Sequence, residues 1–333
     1  MSFAALLRAL APALCFALAV LPAHVAAAQP AKLRVNVFPG AQNLPLYIGM
    51  AHGVFAKYGI ELDLQFTPNS QEQRDGLAQR RFDIAHAAVD NAVAMVETAG
   101  ADVIIVMGGD SSMNEFFLQS DLARIADVKG KALAVDAPNT AYALVARKIL
   151  LNNGLRAGDY TLNPVGGTAI RMKALLDDRN NAAGILNIPF SILAKRQGLR
   201  SVGRTVDILG AYQATGAWVL RSWATANADL LERYLAAYVE SLRLTLAPAQ
   251  RSEAIALLAK WLKLDENVAT ETYELLREPK FGLTPDARFD LEGFRNLLAL
   301  RAEIEGAWGG KPPAPDKYYD LRYYDAALQR LAR

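Results

Sequence analysis

The sequence predicts an α/β protein of two lobes, each a mixed, mostly parallel sheet flanked by helices, with a ligand cleft at a hinge that the chain crosses twice. Three observations carry that reading. Residues 33–38 and 60–66 alternate apolar and polar as half-buried strands, and between them Leu44, Tyr47, Ile48, Ala51, Phe55 and Tyr58 recur at helical spacing. Strand, helix and strand in succession make a βαβ unit and therefore a parallel sheet. The same order of strand, polar loop and helix recurs beyond residue 125. Finally, 215–220 reads as a strand returning to the first lobe, after which the pattern is helical to the end. A chain of 333 residues, 52% hydrophobic and 21% charged, is long and apolar enough for two cores.

In order along the chain, Pro39-Gly40 turns out of the first strand, and Gly59 sits where a helix ends left-handed. Thr67-Pro68-Asn69-Ser70 opens a helix to about residue 79, which Asn69 or Ser70 can cap. A third strand ends near Ala88, and Asp90-Asn91 caps a helix to about Thr98. Residues 102–107 are continuously apolar, as a strand covered on both faces requires, and lead into a polar loop at 108–112. A strand at 114–119 precedes the first crossing, placed near Gln119. The second lobe is expected to hold strands in 125–135, at 160–164, near 182–187 and at 199–202, with helices at 140–151 and 168–176. The segment 203–210 is its return path, and the second crossing falls near Ala211. Helices follow over 227–246, with Asn227 as cap and Pro248 as stop, and over 252–262, 266–277 and 286–305. The lobes are thus expected at 29–119 plus 212–333, and at 120–211.

Residues 1–28 read as a separate object. Arg8 precedes the apolar run 10–21, and Ala26-Ala27-Ala28 offers small residues for cleavage before Gln29. That is the pattern of a cleavable signal peptide, against the alternative of a buried or anchoring helix. Cys15, the only cysteine, follows Leu14, where a lipoprotein would need a small residue, so secretion to the periplasm without a lipid anchor is expected. The mature chain then has no disulfide and no thiol nucleophile. Its two histidines, His52 and His86, stand in different elements without a carboxylate cluster, so no metal site is expected. A net charge of +2 gives no electrostatic reason to expect nucleic acid or an anionic membrane as partner.

The stretch Leu44-Pro45-Leu46-Tyr47-Ile48-Gly49-Met50-Ala51-His52-Gly53-Val54-Phe55, continuing to Gly59-Ile60-Glu61-Leu62, resembles the opening of periplasmic solute-binding proteins of the nitrate, alkanesulfonate and taurine type. That superfamily also contains the thiamine-pyrimidine (NMT1/THI5-like) proteins. Asp127-Val128-Lys129-Gly130-Lys131, leading to Ala134-Val135, resembles the segment that opens the second lobe in this family. Asp83-Ile84-Ala85 resembles its third-strand segment, with Arg81 where the family places glycine. Many relatives carry an acid ahead of Pro-Phe where this chain has Asn187-Ile188-Pro189-Phe190. The resemblance covers nearly all of the mature chain and implies the two-lobed periplasmic-binding-protein fold of type II.

In open α/β sheets ligands bind outside the carboxyl ends of strands. That geometry selects the loops at 42–44, 69–71, 86–91, 108–112, 136–140, 166–168 and 187–190. The candidate ligand residues are Gln42, Asn43, Ser70, His86, Asp90, Asp110, Asp136, Asn139, Thr140, Thr168 and Asn187. Ser70, Asn139, Thr140 and Thr168 stand at helix starts, whose N–H groups bind polar acceptors, and each could equally be a simple cap. His86 follows the third strand, where family members often place a ligand contact, or is a satisfied histidine at a sheet end. Asp90, Asp110 and Asp136 would call for a ligand with hydrogen-bond donors if they face inward, and serve as caps if not. Trp218 and Tyr47 fit a ring stack or a core.

The resemblance implies a non-catalytic solute-binding protein of an ABC importer. A small polar or aromatic organic solute (sulfonate, carboxylate or pyrimidine-like) would be captured between the lobes and delivered to a membrane permease by a monomer without cofactor. An enzyme on the same fold is the first alternative. The sulfinate-cleaving and pyrimidine-forming relatives depend on a cysteine or a cysteine-rich motif, which residues 29–333 lack. A soluble sensor feeding a membrane receptor is the second.

Overall fold

Ten strands and their connecting helices build two sheets in the computed structural model, which describes residues 29–332; the expected leader, Cys15 included, lies outside them. The strands are β1 (Ala31–Val37), β2 (Ile60–Phe66), β3 (Ile84–Ala88), β4 (Val103–Met107), β5 (Asn114–Leu118), β6 (Ala132–Val135), β7 (Thr161–Pro164), β8 (Asn181–Asn187), β9 (Arg200–Arg204) and β10 (Thr215–Leu220). The first sheet has the order β2-β1-β3-β10-β4 and the second β7-β6-β8-β5-β9. β1 runs parallel to β2 and β3, while β10 is antiparallel to β3 and β4. Likewise β6 runs parallel to β7 and β8, and β5 is antiparallel to β8 and β9.

Each sheet therefore takes its antiparallel strand directly after the chain has left the other lobe. β5 follows β4 in sequence but pairs in the second sheet, so the first crossing lies at 108–113 and not near Gln119. The expected boundary misassigned β5 because its apolar residues pair with β8, more than sixty residues downstream. The second crossing lies between β9 and β10 and includes a short helix, Thr205–Leu209, where a plain return path was expected.

The continuous apolar run in β4 is buried throughout, as its two covered faces require. One core lies between the first sheet and the helices Leu44–Ala51 and Ala228–Leu246. There Gly49 lets the two helices touch, since a Cβ on it would come within 2.2 Å of Ser241 Oγ. The opening helix is broken into Leu44–Ala51 and Val54–Lys57 by Gly53, whose φ of 64° leaves the helical region. Asn227 stands at the N-cap position of the long helix, as expected, but its side chain makes no capping bond; its amide donates back to Trp223 O at 3.0 Å. A second core joins Ile105 of the first sheet to Leu133 and Ile185 of the second through Phe294 and Leu297 on the helix Leu291–Glu305. That helix, assigned from sequence to the first lobe and to a start at 286, also grips the second-lobe helix Ala141–Asn152. Ion pairs Arg147–Glu305 and Lys148–Glu303 fasten the two. Among the described residues no helix is long and apolar enough to cross a membrane.

Candidate functional site

The carboxyl ends of the parallel strands from both sheets meet across one cleft. β1 delivers Phe38, a 3-10 turn at Ala41–Asn43 delivers Gln42, and β3 runs into Ala87, Ala88 and the helix start at Asp90-Asn91. From the second lobe come Tyr142, Gly167, Thr168 at the head of the helix Thr168–Asp177, and Asn187 at the end of β8. Together with Thr215 these residues, Asp90 excepted, line an inner cavity of ≈ 40 Å³. It adjoins an outer cavity of ≈ 340 Å³, lined by Phe38, Pro39, Phe66, Thr67 and Pro68 on one side and 167–170 on the other.

Two contacts hold the lobes together beside these cavities. Gly167 N donates to Pro68 O at 2.8 Å, an approach that leaves no room for a side chain, since a Cβ at Gly167 would lie 2.8 Å from the same oxygen. Asp136, from the second lobe, accepts from Ser70 N at 3.1 and 3.3 Å, placing its carboxylate on the mouth of the first-lobe helix Ser70–Ala78. A carboxylate at a helix N-terminus is favoured by the unsatisfied N–H groups and the helix dipole. Asn69 is the side-chain cap of that helix, accepting from Glu72 N at 2.8 Å.

Among the arginines buried near the cavity are Arg171 and Arg301. Arg171 donates to Ile185 O at 2.7 Å, Gly166 O at 2.9 Å and Thr168 Oγ1 at 3.1 Å. Burial pulls its pKa down, and the Asp136 carboxylate works against that. Because Thr168 Oγ1 accepts from a guanidinium, its proton is free to point elsewhere. Arg301 donates to Asp90 at 2.7 Å through Nε and also to Asn139 O at 3.0 Å. Burial lowers the Arg301 pKa, and the charge and hydrogen bonds of Asp90 more than reverse the effect.

The predicted ligand residues thus separate into groups. Gln42, Thr168 and Asn187 line the inner cavity. Ser70 stands one layer behind it, its hydroxyl accepting from Asn91 Nδ2 at 3.1 Å, and Asp136 spans the lobes. Asn43 braces the Phe38 loop by donating to Phe38 O at 2.7 Å. Asn139 offers its carbonyl to Arg301, and Thr140 donates to Ala137 O at 2.8 Å within its own turn. Asp90 is consumed by Arg301. Asp110 is buried at the hinge, accepting from Ser112 N at 2.8 Å and from Thr215 Oγ1, and burial raises its pKa. His86 turns into the first core, where its Nε2 lies 2.8 Å from Tyr234 Oη and its ring against Tyr238. Burial among these rings pushes its pKa down to about 3, which keeps it neutral, and it is absent from the lining of both cavities. Tyr47 stacks on Trp261 with centroids 4.5 Å apart, and Trp218 is fully buried.

The residues missed are Phe38, Asn91, Tyr142, Thr215 and, behind the wall, Arg171. Asn91 sits inside a selected loop and reads from sequence as a cap beside Asp90; in the fold it lines the inner cavity and donates to Ser70 Oγ, while Asp90 pairs with Arg301. Nothing in the sequence around Arg171 distinguishes it from an exposed helix residue. Among the described residues no group of three or more His, Cys, Asp or Glu is placed to hold a metal.

The model of the NMT1-like family matches residues 26–259 of this chain. No protein with a curated description matches. Among solved structures, a protein of Bordetella bronchiseptica RB50 superposes with a TM-score of 0.78 at 19% identity, covering 92% of this chain and 99% of its own. The periplasmic nitrate-binding protein NrtA of Synechocystis PCC 6803 gives 0.73 at 16% identity, over 90% and 89% of the two chains. The alkanesulfonate-binding protein SsuA of Xanthomonas axonopodis pv. citri, bound to MOPS, gives 0.69 at 19% identity, over 87% and 96%. An enzyme shares the fold as well: the desulfurization enzyme DSZB gives 0.61 at 15% identity, over 90% and 99%. At these identities the likeness is one of fold, that of the periplasmic binding proteins.

Proposed function

The chain belongs to the NMT1-like family, and from that premise we propose that it is a secreted solute-binding protein that captures a small organic molecule between its lobes and delivers it to an ABC permease. The observation that carries this reading is the cavity walled by both lobes, with Gln42, Asn91 and Thr215 on one side and Tyr142, Thr168 and Asn187 on the other. A molecule held there contacts both lobes at once, so binding and closure stabilise each other, the linkage on which hinge-closing binding proteins run. Gln42, Thr168 and Asn187 touch the solute; Asp136 and Ser70 fasten the closed arrangement; Asn43, Asp90, Asp110, Asn139 and Thr140 position the walls. The lobes of this reading are 29–107 with 215–332, and 114–204.

Capture is favoured over catalysis because the cavity lining has no cysteine, histidine or carboxylate to serve as nucleophile or base. Thermal unfolding against sulfonates, nitrate, aromatic carboxylates and amino-pyrimidines tests the reading. A true solute at about a thousand times its Kd adds roughly 4 kcal/mol of stability and is recovered unchanged; conversion of the compound would move the protein to the enzymes.

A further inference from the structure

Three buried arginines, Arg74, Arg171 and Arg301, share the carboxylates of Asp90 and Asp136 near the seam between the lobes. Asp90 is taken by Arg301. Arg74, on the first-lobe helix Ser70–Ala78, is 8% exposed; its Nη2 donates to Gln71 Oε1 at 2.9 Å, and its Nη1 is buried without a hydrogen-bond partner among the described residues. Arg171, on the second-lobe helix Thr168–Asp177, is held by neutral acceptors alone. That leaves Asp136, which comes from the second lobe and reaches Ser70 N across the seam. Burial lowers the pKa of both Arg74 and Arg171, and in both the foremost charge opposing it is that of Asp136. Asp136 is absent from the lining of the inner and outer cavities. It borders instead a third cavity of ≈ 300 Å³, lined by Asn69 and Gln71 from one lobe and by 136–137 and 164–166 from the other.

We propose that Asp136 is a built-in electrostatic latch, a carboxylate of the second lobe that Arg74 and the helix mouth of the first lobe draw in, so that the lobes populate the closed arrangement before any solute arrives. The proposal rests on the lobe closure of the solute-binding reading and adds a force to it that does not come from the solute. Asp136 and Arg171 belong to one lobe and stay together whatever the lobes do. Separation takes Asp136 away from Ser70 N and from Arg74 only, leaving a guanidinium and free helix N–H groups without an anion. Water replaces part of what is lost when the seam opens, so the pull is modest, about a fivefold shift in the closed-to-open ratio. The latch also sets how tightly a solute held by both walls is bound, because apparent affinity scales with the fraction of protein already closed. Since Asp136 lines neither solute cavity, that contribution is the same for every solute chemistry.

Pulsed electron-electron double resonance tests this without a ligand. Spin labels go on Gln79→Cys and Lys173→Cys, exposed on opposite lobes, in a Cys15→Ser chain unfolded and refolded to strip any bound solute. The expected distribution holds a short, closed component beside longer distances. Asp136→Asn keeps an acceptor for Ser70 N and removes the charge, and is expected to lower the closed-to-open ratio about fivefold. Arg74→Gln is expected to lower it about threefold, and the double variant no further than Asp136→Asn alone, because Arg74 acts through Asp136. An unchanged ratio in Asp136→Asn overturns the latch, as does a stripped protein with no closed component. A double variant down by the product of the two, about fifteenfold, shows that Arg74 acts elsewhere and also overturns it. Asp136 is half-buried and its asparagine nearly isosteric, so that variant decides alone if Arg74→Gln does not fold. Failure of the latch leaves solute capture standing, which the thermal-unfolding panel judges separately.

Discussion

Arg301 and Arg171 are both buried, 3% and 2% exposed, yet they are accommodated in opposite ways. Arg301 faces a carboxylate, Asp90, and ties together three parts of the chain: a first-lobe helix start, the second-lobe loop at Asn139 and the C-terminal helix Leu291–Glu305. Arg171 has no carboxylate within ion-pair distance among the described residues and is solvated by two carbonyls and a hydroxyl of its own lobe. The first is a joint between lobes, and the second keeps a loop and a hydroxyl oriented toward the cleft. A buried ion pair suits the joint because losing either member leaves an uncompensated charge. A guanidinium fed only by neutral acceptors leaves its positive field available to Thr168 and to whatever Thr168 binds.

The largest effect should come from breaking the joint. Arg301→Met strands Asp90 in the interior and is expected to cost about 3–5 kcal/mol in chemical denaturation, much of it recovered in the double variant with Asp90→Leu. Arg171→Met should act on the site more than on the fold. It is expected to cost about 1–3 kcal/mol of affinity for the solute identified by thermal unfolding, by calorimetry, with a smaller loss of stability than Arg301→Met. If the two variants lose stability equally, the contrast between joint and site collapses.

His86 supplies a third case, a base that burial keeps neutral. Its folded pKa of about 3 lies below the ordinary 6.5, so its contribution is fully present above pH 6.5 and is lost as pH falls toward 3. The loss amounts to roughly 1.4 kcal/mol per pH unit. His86→Gln should flatten the fall of stability with acid by one proton and leave solute affinity unchanged. A large affinity loss would return His86 to the site. The smallest effect is expected for Asp136→Ala, which frees Ser70 N and should weaken the closed arrangement by about 1 kcal/mol, as removal of a helix cap does. It should be read as a faster solute off-rate.

The local grammar of the fold was legible because it depends on neighbours in sequence. The alternation at Ile60–Phe66, the apolar run of β4 and the left-handed glycine at Gly59, with φ of 67°, all announce themselves within a few residues. Membership of β5 in the second sheet depends on β8, more than sixty residues away, and the duties of His86, Asp90 and Asp110 depend on Tyr234, Arg301 and Thr215, each more than a hundred residues away. All three candidates stand at strand ends, where the ligand rule points, and all three were claimed by partners that the rule does not consider. Gln42, Thr168 and Asn187 line the cavity, and the hydrogen bond that reaches Thr168, from Arg171, comes from its own helix three residues on.

The central claim is that two lobes close on a shared solute, and a distance between the lobes tests it most directly. With Cys15 replaced by serine the chain has no cysteine, so Gln79→Cys on the first lobe and Lys173→Cys on the second, both exposed, take spin labels cleanly. Pulsed electron-electron resonance should show a broad distribution without solute that narrows to one shorter distance at saturation, and Asp136→Ala should require more solute to reach it. A distribution that stays the same while calorimetry shows the solute bound would contradict the account.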